Sequence, residues 1–426
     1  MTGTMSADNP AIRRTRLDCG LRLVTEQLPA LRSAAVGFWV GTGARDEPEE
    51  LAGASHFLEH LLFKGTDTRR AVDIAQAVES VGGDMNAATG QEVTQFYVRV
   101  PDRHLELALA ILSDIVWSPA LRPDEVESER KVILEEIRMR DDTPDDLVHD
   151  LFANALFPDH PLGRGVAGTS ETITAMTRDA IAEYHRVHYH PENVVVAVAG
   201  NIAHDDVARM LEASLPVQSA YDRAARVDGV HGTVPRGVAV VERSLEQAHL
   251  VLGMRALPRD DPDRYALAVI DQVLGGGMSS RLFQEVRERR GLAYSVFSYR
   301  SAYEETGALA VYCGTAPEHV DEVLDLVVGE FEQLAGDGGV TDDELVRAKG
   351  HMAGSLAVSL ESSSSRMHRI GRSELTLGEV PDIDEVVARV EAVGAADVER
   401  AIERVLTPGR RTLAVVGPVT EELSPR

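Results

Sequence analysis

The segment His56-Phe57-Leu58-Glu59-His60 holds two imidazoles and a carboxylate at spacings that one helix face can gather. Residues i and i+4 are neighbours on a helix, and i+3 shares their face. Imidazole nitrogen suits Zn2+, and two histidines with one carboxylate leave the open position that a catalytic zinc requires. Zinc lowers the pKa of a bound water to about 7, and a neighbouring carboxylate such as Glu59 can take the proton. The competing reading is a pair of satisfied, half-buried histidines on an ordinary helix. A third ligand would separate the two.

That ligand is sought in the acidic stretch 124–140, which has the 3.6-residue period of a helix. It carries Glu125, Glu127, Glu129, Glu135 and Glu136. Ser128, Lys131, Glu135, Arg138 and Asp142 share a polar stripe, so Glu135 faces water. Val126, Glu129, Ile133, Glu136 and Ile137 share the apolar stripe, so Glu129 and Glu136 point inward. A buried carboxylate is costly unless it is paired or metal-bound. Glu136 is therefore the expected third ligand. Glu129 is expected to orient a histidine from behind, the alternative being a salt bridge to an arginine. The order H-x-x-E-H is the inverted form of the zinc-peptidase motif.

Other elements must hold these groups. Residues 21–24, 34–40, 93–100 and 194–199 read as strands. Residues 55–64, 69–81, 102–117, 124–140 and 175–188 read as helices, the second ending at Gly82-Gly83. Residues 216–236 have little apolar periodicity and read as a linker. The second half then repeats the first. Residues 248–254 echo 34–40, 317–320 echo 102–105, 343–345 echo 124–126, and 397–417 echo 180–200. The expectation is an α+β chain of two homologous domains, each a largely antiparallel sheet with helices packed on one face. The domains run over 1–216 and 237–426, with 217–236 between them. An offset of 219 carries His56, Glu59 and His60 to Gly275, Met278 and Ser279, and Glu136 to Ser355. None of these suits zinc, so the second half is expected to serve substrate binding or to close a chamber.

His-Phe-Leu-Glu-His-Leu-Leu-Phe-Lys-Gly-Thr at 56–66 and Glu-Ser-Glu-Arg-Lys-Val-Ile-Leu-Glu-Glu-Ile at 127–137 resemble the pitrilysin and mitochondrial processing peptidase family, most closely its short two-domain bacterial members. Gly275-Gly276-Gly277-Met278-Ser279-Ser280-Arg281-Leu282-Phe283 and Gly291-Leu292-Ala293-Tyr294-Ser295 are similar to the family's second domain. The resemblance implies one Zn2+ per chain on His56, His60 and Glu136, with Glu59 as general base. The family's second glutamate, seven residues before the ligand, falls on Glu129. An Arg and a Tyr seven apart, here Arg287 and Tyr294, would bind substrate near the scissile bond. Tyr294 would donate to the developing oxyanion and Arg287 would hold a peptide carbonyl. Asn86-Ala87 after the Gly-Gly turn matches the edge on which family substrates add as a strand. The family often has an aromatic residue after that Ala, and here it is Ala88, which bears on side-chain preference and not on strand pairing. The implied activity is a zinc endopeptidase for unfolded peptides or presequence-like segments, with two chains paired around a closed chamber, taken as a homodimer. Its rival is a silent structural or assembly subunit of the same fold; a zinc hydrolase for a non-peptide substrate is a further one.

Composition narrows the partners. The chain has 426 residues and a net charge of −26. So acidic a surface repels phosphate backbones and anionic lipid, and neither nucleic acid nor membrane is an expected partner. Basic peptides are the favoured class. Cys19 and Cys313 stand alone, no apolar h-region follows Arg13-Arg14, and no apolar run reaches a membrane span's length. A cytoplasmic location is expected. His185, His188 and His190 have no acidic or thiol partner at a suitable spacing and read as helix C-terminal residues. Gly275-Gly276-Gly277 is not followed by Lys-Ser/Thr, so a phosphate loop is not expected.

Overall fold

The computed structural model describes residues 2–5, 11–215, 226, 230–336, 338–406, 411–419 and 423. Most of the expected linker 217–236 lies outside the described residues.

Two sheets organise the chain. The first comprises β1 (Thr2–Met5), β2 (Ile12–Arg16), β3 (Arg22–Gln27), β4 (Ser33–Val40), β5 (Asp84–Thr89), β6 (Thr94–Pro101) and β7 (Val194–Gly200). The second comprises β8 (Val238–Glu242), β9 (Ala248–Ala256), β10 (Ala293–Ala302), β11 (Gly307–Thr315) and β12 (Thr412–Gly417). The first has the order β1-β2-β3-β7-β4-β6-β5 and the second β10-β11-β9-β12-β8. Reversing the second gives β8-β12-β9-β11-β10, the same path as β3-β7-β4-β6-β5. Pairing directions agree as well: β3–β7 and β8–β12 are parallel, and every other pair is antiparallel. The repeat expected from sequence is thus present as a repeated topology.

The repeat spacing is not constant. By element order, the counterpart of the Ala54–Leu62 helix is the Arg264–Leu274 helix. Gly275, Met278 and Ser279 lie beyond the end of that helix, so the 219 offset misaligned the histidine positions. The loop before the second helix is shorter, and loop length is what shifts the register. For the later helices Pro123–Asp142 and Asp342–Ser359 the offset holds, and it places Ser355 opposite Glu136. The Arg264–Leu274 helix itself contains no histidine, so it carries no counterpart of the histidine pair.

Central strands read as unbroken apolar runs because both of their faces are covered. Every residue of β7 is buried, as are all but the first of β4. One face of the first sheet packs against the Ala54–Leu62, Leu105–Trp117, Pro123–Asp142 and Arg178–His188 helices. On the other face Ile12, Val24, Ala35, Trp39, Val195, Ala197 and Ala199 meet Met367 and Ile370 of the Ser363–Leu377 helix. The second sheet shows the converse. Val251, Ala310, Tyr312, Ala414 and Val416 meet Val148, Phe152 and Leu156 of the Pro144–Leu156 helix.

The compact units therefore differ from the contiguous division at 216 and 237. One unit is Met1–Ile137, Gly165–Val227 and Ala357–Asp382; the other is Arg138–Arg164, Asp228–Leu356 and Ile383–Arg426. Each half of the sequence lends one helix to the sheet built by the other. Hydrophobic patterning marks that a helix is amphipathic, not which sheet receives its apolar face, and so the exchange is silent in the sequence. Each sheet thus carries one helix on the face that the sequence reading left uncovered. Among the described residues, no helix is long and apolar enough to cross a membrane. Cys19 and Cys313 are buried free thiols.

Candidate metal centre

The motif helix Ala54–Leu62 uses its apolar residues as anchors. Phe57, Leu58, Leu61 and Leu62 are fully buried in the first core. Anchoring that stripe leaves His56, Glu59 and His60 together on a half-buried one. The long helix Pro123–Asp142 buries Val126, Glu129, Ile133 and Ile137. Its period then carries Glu136 to the edge of the same stripe, half-buried, while Glu135 is exposed.

These two helices bring three donors to one point. Glu136 Oε2 lies 3.7 Å from His56 Nε2 and 3.5 Å from His60 Nε2. A ligand atom from each of the three residues lies within 4.8 Å of the others, and among the described residues this is the one cluster of metal-ligating groups with that property. The ring centroids of His56 and His60 are 4.8 Å apart. Behind the cluster, Glu129 Oε2 lies 3.1 Å from His60 Nδ1, and Glu129 Oε1 lies 2.7 Å from Lys64 Nζ. Glu129 thus touches a histidine, as expected from its stripe, and its cationic partner is a lysine and not the arginine considered as the alternative. The donor set fits a zinc ion: two imidazoles present their Nε2 atoms to one carboxylate oxygen, and a second carboxylate holds Nδ1 of one ring.

Residues 22–170, which contain all five of these acidic and imidazole side chains, match the family described as Insulinase (Peptidase family M16), and residues 175–352 match Peptidase M16 inactive domain. An uncharacterized zinc protease of Streptomyces coelicolor is 45% identical over 421 residues, covering 97% of this chain and 91% of the relative. The uncharacterized zinc protease YmxG of Bacillus subtilis is 39% identical over 407 residues, covering 96% and 98%. The chain belongs to peptidase family M16. A protease from Helicobacter pylori superposes with TM-score 0.88 at 24% identity, covering 96% of this chain and 100% of that one, which is a likeness of fold. This M16 chain spans 91% and 98% of those two bacterial relatives, so it is of about their length.

Electrostatics of the M16 site follow from its half-closed setting. Burial, reinforced by the neighbouring His60, lowers His56 to about 4, so its ring is neutral at pH 7. A neutral ring keeps the lone pair that a metal needs. Burial also raises the Glu59 carboxyl above its ordinary value; Thr89 and His60 oppose that shift and Glu136 adds to it. A carboxylate moved toward neutrality is suited to both accepting and returning a proton. Glu59 Oε2 and His56 Nδ1 are buried and have no hydrogen-bond partner among the described residues.

The remaining expected residues fall in two places. Asn86 and Ala87 lie on β5, the edge strand beside β6, and the Ala87 N–H donates to Asn86 Oδ1 at 2.8 Å. Arg287 and Tyr294 belong to the other compact unit. Arg287 sits on a π-helical turn, Phe283–Arg289, with its guanidinium 4.5 Å from the Tyr294 ring centroid and 4.8 Å from that of Phe283. Tyr294 falls where the β10–β11 register slips between Ala293 and Ser295, and the residue is 79% exposed. A bulge of this kind re-aims a side chain out of the sheet.

His185, His188 and His190 do not converge. His185 Nε2 meets the Val116 carbonyl at 2.9 Å, His188 Nδ1 meets Thr42 Oγ1 at 3.3 Å, and His190 Nδ1 accepts from Glu192 N. Two contributors were missed in the sequence reading. Lys64 lies four residues after His60, just past the end of the motif helix at Leu62, and the expected helix 55–64 with its i+4 spacing could have flagged it. Thr89, at the end of β5, bears on the Glu59 carboxyl electrostatically and only through the fold.

Proposed function

We propose that this chain is a zinc endopeptidase acting on extended, unfolded peptides or presequence-like segments, with one zinc per chain. The observation that carries the proposal is the approach of Glu136 Oε2 to both Nε2 atoms, with Glu59 on the same helix stripe as the two histidines. His56, His60 and Glu136 would hold the ion, which when bound supplies a Lewis acid that acidifies water and polarises a carbonyl. Glu59 would accept the proton of the attacking water and return it to the leaving amine. Its raised affinity for a proton supports that double role. Glu129 would fix the ring of His60 by accepting its Nδ1–H.

Asn86 and Ala87 would present the strand edge to an extended substrate. Arg287 and Tyr294 would contact the substrate near the scissile bond, Tyr294 donating to the oxyanion. Pairing of two identical chains around a chamber would exclude folded proteins. The charge of −26 favours basic peptides. The two free thiols support a cytoplasmic location.

The test is mass-spectrometric mapping of products from a mixed peptide pool, with and without chelator, beside a metal analysis of the purified protein. The expected result is about one zinc per chain and internal cleavage abolished by chelator. Zinc-loaded protein that cuts no peptide would leave a scaffold or a non-peptide hydrolase instead.

A further inference from the structure

The motif helix begins without a capping side chain of its own. Helix N-termini leave backbone N–H groups unpaired, and a Ser, Thr, Asp or Asn at the cap usually accepts from one of them. Here the cap is Gly53, in the left-handed region at φ +96. A Cβ at Gly53 would lie 2.7 Å from the Ala167 carbonyl oxygen and 2.7 Å from Ile173 Cδ1. Both the backbone conformation and the space thus exclude any residue that could cap the helix locally.

A distant carboxylate fills the role. Glu47 Oε2 accepts from Gly53 N at 2.7 Å, and Glu47 Oε1 accepts from Ser55 N at 2.7 Å. Glu47 is buried, with 4% exposure. Charge-assisted bonds at the positive end of a helix are among the stronger a carboxylate can make. The loop that carries Glu47 is itself fixed. Ala44 N and Arg45 N donate to the carbonyls of Gly90 and Gln91 in the β5–β6 turn. Arg45, 1% exposed, binds Glu92 Oε1 at 2.5 Å. Arg226 binds Asp46 Oδ1 at 2.7 Å and the Glu92 carbonyl at 3.0 Å.

His56 stands one residue after Ser55, in the first helical turn. Among the described residues its Nδ1 has no hydrogen-bonding partner, whereas His60 is oriented by Glu129. The placement of His56 therefore depends on the backbone that Glu47 holds. We propose that Glu47 is a positioning residue, which caps the motif helix from outside and so sets His56 in register with His60 and Glu136. This rests on the zinc-peptidase reading of the site.

The test compares wild type with Glu47→Gln, which keeps the size but turns an N–H donor toward the helix N-terminus. Ser55→Ala serves as the control, since it loses the Ser55 Oγ contact with Tyr184 but keeps the amide that Glu47 binds. Zinc Kd is read by competition with a chromogenic chelator, and kcat and KM on a peptide substrate. Glu47→Gln is expected to weaken zinc about 10-fold or more and to lower kcat with KM unchanged, while Ser55→Ala stays at the wild-type Kd. A zinc Kd for folded Glu47→Gln within about twofold of wild type overturns the proposal. Hydrogen exchange on wild type needs no variant: the amides of Gly53 and Ser55, which Glu47 binds, should stay protected in the chelator-stripped protein, and their full exchange there would equally overturn it. Failure of the wild type to take up zinc would overturn the underlying reading; failure of Glu47→Gln alone to differ would overturn only the role of Glu47.

Discussion

Glu129 Oε2 lies 3.1 Å from His60 Nδ1, and this contact fixes which way the ring of His60 faces. A carboxylate only accepts, so Nδ1 carries the hydrogen and Nε2 presents its lone pair toward Glu136. Lys64 on the other oxygen keeps the buried carboxylate compensated. Replacing Glu129 by Gln should raise the zinc Kd by about 10- to 100-fold. Chelator competition measures it, and an unchanged Kd would remove Glu129 from the site.

Glu59→Gln separates binding from chemistry. Glu59 is not among the three converging ligands, so the variant should keep its zinc. Loss of a positioned general base should lower kcat by about 10²- to 10⁴-fold. Metal content and turnover are measured on the same preparation. Equal turnover in the zinc-loaded variant would falsify the general-base role.

Much of this site was legible before the fold. The i, i+3, i+4 spacing of His56, Glu59 and His60 is local, and the apolar stripe through Val126, Ile133 and Ile137 pointed Glu129 and Glu136 inward. Both follow from helix geometry alone. Glu47 was not legible, because it acts on the motif helix across a tertiary contact with no sequence period linking the two, and the effect of Thr89 on Glu59 likewise comes only with the fold. The same physics divides the fold. Strand order repeats because the halves repeat, but the exchange of the Pro144–Leu156 and Ser363–Leu377 helices depends on which sheet face each finds. Gly275, Met278 and Ser279 were misaligned because a constant offset ignores loop length.

The apo protein should lose stability on acidification through His56. Its ring titrates at about 4 when folded against 6.5 ordinarily. Between those values the unfolded chain binds a proton that the folded chain excludes, so stability rises with pH across that window. Above pH 6.5 the contribution is level. The raised Glu59 acts in the opposite sense, since its folded form holds a proton that the unfolded chain releases first. Thermal melts of chelator-stripped wild type and His56→Gln, run from pH 4 to 7, isolate the histidine. The fall in Tm below pH 6.5 should be smaller in His56→Gln; identical profiles would contradict it.

The exchanged helix can be tested at one glycine. Gly371, buried in the Ser363–Leu377 helix, faces Trp39 on β4, which is 4% exposed. A Cβ at Gly371 would lie 2.2 Å from Trp39 Nε1 and 2.6 Å from Cε2. The indole is rigid and enclosed, so it cannot move aside as the end of a flexible chain would. Alanine gains about 1 kcal/mol in helix propensity over glycine, whereas overpacking a core costs about 1–3 kcal/mol. Overlap this deep belongs at the upper end, and Gly371→Ala should be less stable than wild type by about 1–2 kcal/mol. Gly329, in the Val320–Ala335 helix, is the counter-case, because a Cβ there meets nothing within 4 Å. Gly329→Ala should gain up to about 1 kcal/mol. Urea unfolding of the two variants and wild type decides the matter. If both alanines stabilise alike, the Ser363–Leu377 helix does not lie against Trp39, and the exchange of helices between the two sheets is wrong.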